Sequence, residues 1–207
     1  MTLHIGMVGT GDFSRKHAQI LSRMEGVAVR AFCGTSQEKA DRIARDFPHA
    51  RAYDSLLEML DRERLDAVYI SVTPDAHGAI ERELIERNIP FFVEKPIGIG
   101  METPQQIERE IKKKSLITSV GYHFRYSNPT QRLKQYVQQV RLGMAVGRFM
   151  GGLPGKAWWR NEERSGGQWN EQTTHIVDLL RFIAGEAVEV HAFFATKVMD
   201  QLLDDVT

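Results

Sequence analysis

The sequence predicts an α/β protein whose first part is a doubly wound parallel sheet, and three observations carry that expectation. Short apolar, β-branched runs alternate with amphipathic helical stretches from Leu3 to Tyr122. The first apolar run breaks at a glycine turn, GTGDFS (residues 9–14), that leads into a helix. The interval between successive runs is long enough for a crossover helix each time, which demands right-handed βαβ connections and a sheet covered on both faces.

The elements follow in order. LHIGMV, from Leu3, reads as a strand, and SRKHAQILSRM as a helix with Ile20, Leu21 and Met24 at helical spacing. VAVRAFCG (27–34) is a second strand. SQEKADRIARDF follows, with Ser36 as N-cap and Ala40, Ile43, Ala44 and Phe47 on one face. The alternation continues through strand ARAY, helix SLLEMLDRE, strand DAVYISV, helix DAHGAIERELIERN, strand PFFVEK, helix TPQQIEREIKKK and strand LITSVGY. The division expected is a first domain over 1–121 and a second, smaller one over 122–207.

Composition removes several classes of function. Lys and Arg number 27, as do Asp and Glu, so no excess positive field is available to gather nucleic acid or anionic lipid. The single Cys33 rules out an intrachain disulfide and a cysteine-based zinc cage, and suits a reducing cytoplasm. No apolar run approaches membrane-spanning length.

In open parallel sheets, ligands bind beyond the carboxyl ends of the strands, where the strand order reverses. Gly9 suits the tight turn after the first strand, Gly11 lets a pyrophosphate approach the backbone, and the helix starting near Asp12 and Phe13 offers free N–H groups. Ser14 stands where the dinucleotide fingerprint has its third glycine. These residues point to a dinucleotide and a Rossmann-type fold. An acid ending the second strand would read the ribose hydroxyls and repel a 2′-phosphate; here that place is Gly34, followed by Thr35 and Ser36, with Lys39 one turn on. NADP is therefore expected to be accepted and slightly favoured, with NAD binding through other contacts as the alternative.

FFVEKPIGIG (91–100) delivers Glu94 and Lys95 to the end of a buried strand, and Pro96 then blocks the ladder. A lysine there is either a solvated strand exit or an ammonium placed to stabilise a developing alkoxide and assist proton transfer. Pro96 restricts Lys95 to extended geometry.

Taken together, GTGDFSRKHAQIL, YISVTPDAH (69–77) and VEKP (93–96) resemble the Gfo/Idh/MocA family of NAD(P)-dependent oxidoreductases, whose strand-five signature is E-K-P. The resemblance implies that Lys95 lies beside the nicotinamide and hydrogen-bonds the reacting substrate oxygen, with Glu94 and Pro96 fixing the turn. It implies that Thr73 and Pro74 line nicotinamide and ribose, with His77, opening the next helix, as a structural or ribose-side hydrogen bonder. His17 reads as packing.

GYHFRYSNP (121–129) resembles the family's crossover into a substrate domain, with Tyr122, His123 and Arg125 toward substrate. In RSGGQWNEQTTHIVDLLRFIAG (164–185), Glu171, His175 and Asp178 fall on one face of a regular helix, beside a stripe of Ile176, Leu180 and Ile183. The family has Asp-x-x-x-His-x-x-Asp in this segment. His175 and Asp178 match and Glu171 replaces the first Asp, so Glu171 either touches substrate or orients His175. Two carboxylates and one imidazole do not make a metal site.

Trp158, Trp159 and Trp169 suit stacking on sugar C–H faces or core packing. The substrate class implied is a sugar, cyclitol or related polyol. A helix over 129–142 and strands over 147–158 and 188–198 would form an incomplete α+β second domain, since family members continue much further into a large, mostly antiparallel sheet. The chain is accordingly expected to be a homo-oligomer through that sheet. The resemblance implies an oxidoreductase that passes hydride between a substrate carbon and the nicotinamide, with Lys95 polarising the oxygen and His175 exchanging its proton; the alternative is a catalytically inactive dinucleotide-binding module.

Overall fold

The computed structural model describes residues 2–152 and 154–197. The chain divides into two compact units, the first ending at Gly121 and the second starting at Tyr122.

The first unit is a six-stranded parallel sheet in the order β3-β2-β1-β4-β5-β6, formed by β1 (Leu3–Val8), β2 (Val27–Cys33), β3 (Arg51–Tyr53), β4 (Ala67–Ile70), β5 (Phe91–Val93) and β6 (Thr118–Val120). The chain winds outward from β1 to β3, returns to the far side of β1 at β4, and winds outward again. The switch point therefore lies between β1 and β4. Period-two alternation sorts each strand's side chains onto two cores. Ile5, Met7, Val29 and Phe32 pack on one face against Ala18, Leu21, Ile43, Ala44 and Phe47 of the first two helical segments. Val8, Ala31, Val68, Ile70, Phe91 and Val93 pack on the other against Met59, Leu60, Leu84, Ile85 and Ile107. Each buried Val, Leu, Ile, Met or Phe side chain contributes about 1.5–3 kcal/mol, which is what holds short strands in register.

The helices are α1 (Asp12–Leu21), α2 (Gln37–Ala44), α3 (Leu56–Arg62), α4 (Ala79–Glu86) and α5 (Glu102–Lys114). Ser36 and Ser55 cap α2 and α3 by accepting from the amides of Lys39 and Glu58. The buried face of α1 is Ser14, Ala18 and Leu21, whereas Ile20 and Met24 face out. Small residues at 14 and 18 let this helix lie close on the sheet, an effect that apolar spacing alone does not reveal. The helix expected from Asp75 begins later: Pro74–Ala76 form a 3-10 turn, and α4 starts after Gly78 at φ 112°.

The second unit contains α6 (Asn128–Val137), α7 (Glu162–Ser165) and α8 (Thr174–Ala184), with 3-10 turns at His123–Tyr126 and Ala157–Arg160 and a π turn at Trp169–Thr173. The strand expected over 147–158 does not form: its described residues are irregular up to the 3-10 turn, and a Cβ at Gly147 would overlap Ile176 of α8. Of the strand expected over 188–198, residues 188–197 show one isolated bridge position at Ala195, and Val198 lies outside the described residues. Apolar runs become strands only where a neighbour completes the ladder, and no described segment of this unit supplies one. The sheet expected to carry a homo-oligomer is thus missing among the described residues.

Cys33 ends β2 in the buried core, and desolvation, followed by the nearby Asp54 carboxylate, pushes its thiol up to about 11. Only the thiolate attacks thiol reagents, so at pH 8 the native protein should react with iodoacetamide about 100-fold more slowly than the chain in denaturant. Comparable rates in the two states would show that Cys33 is not enclosed.

Candidate functional site

The carboxyl edge of the sheet in the first unit gathers the residues singled out after β1, β2, β4 and β5. After β1 the chain turns at Gly9 with φ 107°, its amide donating to the Cys33 carbonyl at 2.9 Å. A Cβ here would overlap the Ser71 carbonyl oxygen, so only glycine permits β1 and β4 to close on each other at the switch point. Gly11 differs in kind. Its backbone is extended, and a Cβ on it would meet nothing within 4 Å. The absent side chain leaves an open approach to the amino end of α1, whose first acidic residue is Asp12 and whose Phe13 is exposed. Ser14 is fully buried, and neither its hydroxyl nor that of Ser71 has a partner among the described residues.

After β2, Gly34 donates its amide to Tyr53 O at 2.9 Å. A Cβ on Gly34 would come within 2.8 Å of Thr10 Cγ2 and 3.3 Å of the Ala40 amide, so a larger residue here would have to shift the Thr10 side chain. Thr35 Oγ1 accepts from Lys39 Nζ at 2.9 Å, and Ser36 caps α2.

After β4, Thr73 accepts the Ala76 amide, and Pro74 is buried. His77 precedes α4 rather than opening it. Its Nδ1 lies 2.6 Å from Glu81 Oε1, while Glu81 Oε2 accepts the Gly78 amide at 2.6 Å, a pairing that anchors the helix start. The His77 side chain is only 1% exposed, and its Nε2 has no partner among the described residues.

After β5, the amide of Glu94 donates to Ile70 O at 2.8 Å, extending the β4 pairing one residue past the strand. The Glu94 carboxylate is buried; Oε2 accepts the Lys95 amide at 3.1 Å and Oε1 lies 2.7 Å from His17 Nε2 of α1. Lys95 itself is half-buried, and the Lys95–Pro96 bond is cis.

In the second unit, the two most buried residues of α8 are polar, His175 and Asp178. Tyr122, His123, Phe124 and Phe149 surround the His175 ring, with centroids 6.1, 5.2, 4.7 and 6.5 Å away. Tyr122 Oη is 2.9 Å from Thr174 Oγ1. Arg125, expected to face substrate, binds Asp178 in a two-pronged pair: Nε donates to Oδ2 at 2.7 Å and Nη2 to Oδ1, while Phe182 lies under the guanidinium. Asp178, on the face expected to carry His175, has both oxygens engaged by Arg125. Glu171 sits in the π turn, so the regular helix face assumed for residues 171, 175 and 178 is broken before His175; Glu171 Oε2 and His175 Nδ1 are both shielded from solvent. Trp159 is a core residue, 1% exposed, and Trp169 packs edge-on to Phe194.

The edge after β1 fits a dinucleotide on its own geometry. The Gly11 opening admits a phosphate to the α1 amides, and the Ser14 and Ser71 hydroxyls are buried hydrogen-bonding groups awaiting partners. Sequence reasoning passed over Ser71 and treated Ser14 only as a missing glycine. It also missed the partner of His17, for which helical spacing holds no signal.

The family model for the oxidoreductase family with an NAD-binding Rossmann fold matches residues 3–122, and the GFO/IDH/MocA C-terminal domain matches 130–207. Among curated relatives, myo-inositol 2-dehydrogenase of Thermotoga maritima is 23% identical over 188 residues, covering 90% of this chain and 56% of its own length. The WlbA dehydrogenase of Chromobacterium violaceum, solved with NADH and UDP-GlcNAcA, superposes with a TM-score of 0.86 at 23% identity, over 99% of this chain and 61% of that one. Myo-inositol dehydrogenase of Lactobacillus casei, solved with NAD(H) and myo-inositol, gives 0.64 at 27% identity over 67% and 42%. The chain spans about half the length of the curated relatives it matches.

Substitution at the two turn glycines should separate folding from binding. Gly11→Ala should leave the thermal midpoint unchanged yet weaken NADH binding about tenfold or more. Gly9→Ala, strained by about 1–3 kcal/mol at its positive φ, should lower the midpoint itself. Equal effects on both properties at both positions would contradict this division.

Proposed function

The chain belongs to the Gfo/Idh/MocA oxidoreductase family, and from that premise we propose that it is an NAD(P)-dependent oxidoreductase acting on a CH–OH carbon of a sugar, cyclitol or related polyol. The observation that carries this reading is the meeting of two features on one sheet edge: the Gly9–Gly11 approach to α1, and the Glu94-anchored Lys95 after β5.

The nicotinamide supplies the hydride acceptor or donor when bound. Gly9, Gly11, Asp12 and Phe13 form the pyrophosphate turn, Thr73 and Pro74 line the ribose and nicotinamide, and His77 holds the start of α4 behind them. Lys95 donates a hydrogen bond to the reacting substrate oxygen and stabilises its negative charge as the carbonyl and alcohol interconvert. To His175, in the second unit, we assign a general acid/base role, with Glu171 in support and Tyr122 and His123 as substrate contacts. Arg125 is assigned to holding Asp178 rather than to substrate.

NADP is the favoured cofactor in this reading. Gly34 places no acid at the end of β2, and Thr35, Ser36 and Lys39 at the amino end of α2 suit a 2′-phosphate. The polyol class is supported by the relatives named for inositol, and a cytoplasmic setting by the single enclosed thiol. Association with a second copy would use apolar residues that the second unit exposes, Met144, Val146, Met150, Val190 and Phe193. A strictly monomeric species by light scattering at micromolar concentration contradicts that association.

Calorimetric titration with NADPH and NADH, followed by a panel of polyols and sugars, tests the reading. It expects tighter NADPH binding and turnover of at least one polyol; no binding of either nucleotide at millimolar concentration rejects it. Lys95→Ala should lower kcat about 10²- to 10⁴-fold and leave nucleotide affinity nearly unaltered. Undiminished turnover in that variant would remove Lys95 from the chemistry.

A further inference from the structure

We propose that His17 is a positioning residue for Lys95, acting through the Glu94 carboxylate. This rests on the oxidoreductase reading for what Lys95 does, and on the geometry of the first unit for how it is held.

The Glu94 side chain is nearly enclosed, 11% exposed, and its two oxygens have different partners. Oε2 accepts the backbone amide of Lys95 at 3.1 Å, and Oε1 faces His17 Nε2 at 2.7 Å. A carboxylate can only accept, so the proton of this contact belongs to Nε2. The imidazole is fixed in turn by aromatic rings: Phe92 meets it edge-on at 5.1 Å, Tyr69 tilts against it at 5.7 Å, and Tyr69 and Phe92 stack on each other at 4.8 Å. The carboxylate also has a seat cut for it. A Cβ on Gly121 would stand 2.9 Å from Oε2 and 3.0 Å from Cδ, so glycine after β6 is what lets the carboxylate lie there.

Three elements thereby converge on one group. The backbone of Glu94 is tied to β4 through Ile70 O, its flank is set by Gly121, and its far oxygen is held from α1. A packing histidine would need none of this. Without a donor at position 17, a buried carboxylate loses half of its hydrogen bonding and is drawn toward solvent or another donor, releasing the Lys95 amide. A displacement of the reacting group by about 1 Å costs on the order of 10² in rate, so a residue that touches neither substrate nor nucleotide can govern kcat.

The test uses the whole chain and two substitutions of opposite chemistry. His17→Phe keeps a ring against Tyr69 and Phe92 but cannot donate, and His17→Gln restores a donor. The first readout needs no nucleotide and no substrate: the rate at which an amine-reactive ester acylates Lys95, read by peptide mass spectrometry against the other lysines. The second is kcat, and KM for the nucleotide, on a polyol that the unaltered protein turns over.

His17→Phe should change Lys95 acylation by roughly threefold or more, the ratio that one net hydrogen bond is worth, with the other lysines unchanged. It should lower kcat about 10- to 100-fold with the nucleotide KM held, and His17→Gln should recover both. Glu94→Ala removes both hydrogen bonds from the other partner and should reproduce the His17→Phe result, which covers the case in which His17→Phe does not fold. Unaltered Lys95 acylation and kcat in both His17→Phe and Glu94→Ala, or a His17→Gln variant no better than His17→Phe, would overturn the proposal. Absence of turnover in the unaltered protein would count against the oxidoreductase reading alone, because the acylation comparison still decides the role of His17.

Discussion

The first unit depends on one constraint: six strands all run the same way, so every strand delivers its last residue to the same edge. Parallel neighbours need helical crossovers, the crossovers are right-handed, and the chain reverses its direction of winding once, between β1 and β4. At that reversal two loops leave the sheet in opposite directions and open a space beside Gly9 and Ser71. The close approach of the Gly9 backbone to the Ser71 carbonyl marks how tightly the reversal is drawn. Beside it lie the open approach at Gly11 and the buried hydroxyls of Ser14 and Ser71.

The same edge explains why Glu94 and Lys95 are adjacent yet do different things. The first residue past β5 continues the pairing to β4, turning its side chain back over the sheet toward α1. Lys95 follows, half-buried, and Pro96 ends the element. The second unit shows a parallel economy: Arg125 and Asp178 neutralise each other, and His175 lies in a ring of Tyr122, His123, Phe124 and Phe149.

Much of the first unit was legible in the sequence because its signals are local. Apolar, β-branched runs located the strands, Ser36 announced the start of α2, and Ala40, Ile43, Ala44 and Phe47 form the buried face read from their spacing. The illegible parts depend on partners distant along the chain. His17 and Glu94 are 77 positions apart, and only the assembled sheet brings α1 over the end of β5. Arg125 and Asp178 are 53 apart, so a guanidinium that reads as a ligand for substrate is already engaged by a carboxylate distant in sequence. Glu171 was misplaced for a different reason. A π turn inserts an extra residue's worth of rotation, which no periodicity predicts from composition. The strands expected over 147–158 and 188–198 do not form among the described residues, where only the isolated bridge position at Ala195 appears.

The central claim is that the carboxyl edge of the parallel sheet binds the dinucleotide. Titration of the ¹⁵N-labelled protein with NADPH, followed by the amide resonances, addresses it residue by residue. The account predicts that the amides of Gly9, Gly11, Asp12, Phe13 and Ser14 shift first and furthest, together with those of Thr35, Ser36 and Thr73, while amides at the amino ends of the strands stay in place. Shifts confined to the second unit, or spread along the opposite edge of the sheet, would contradict it.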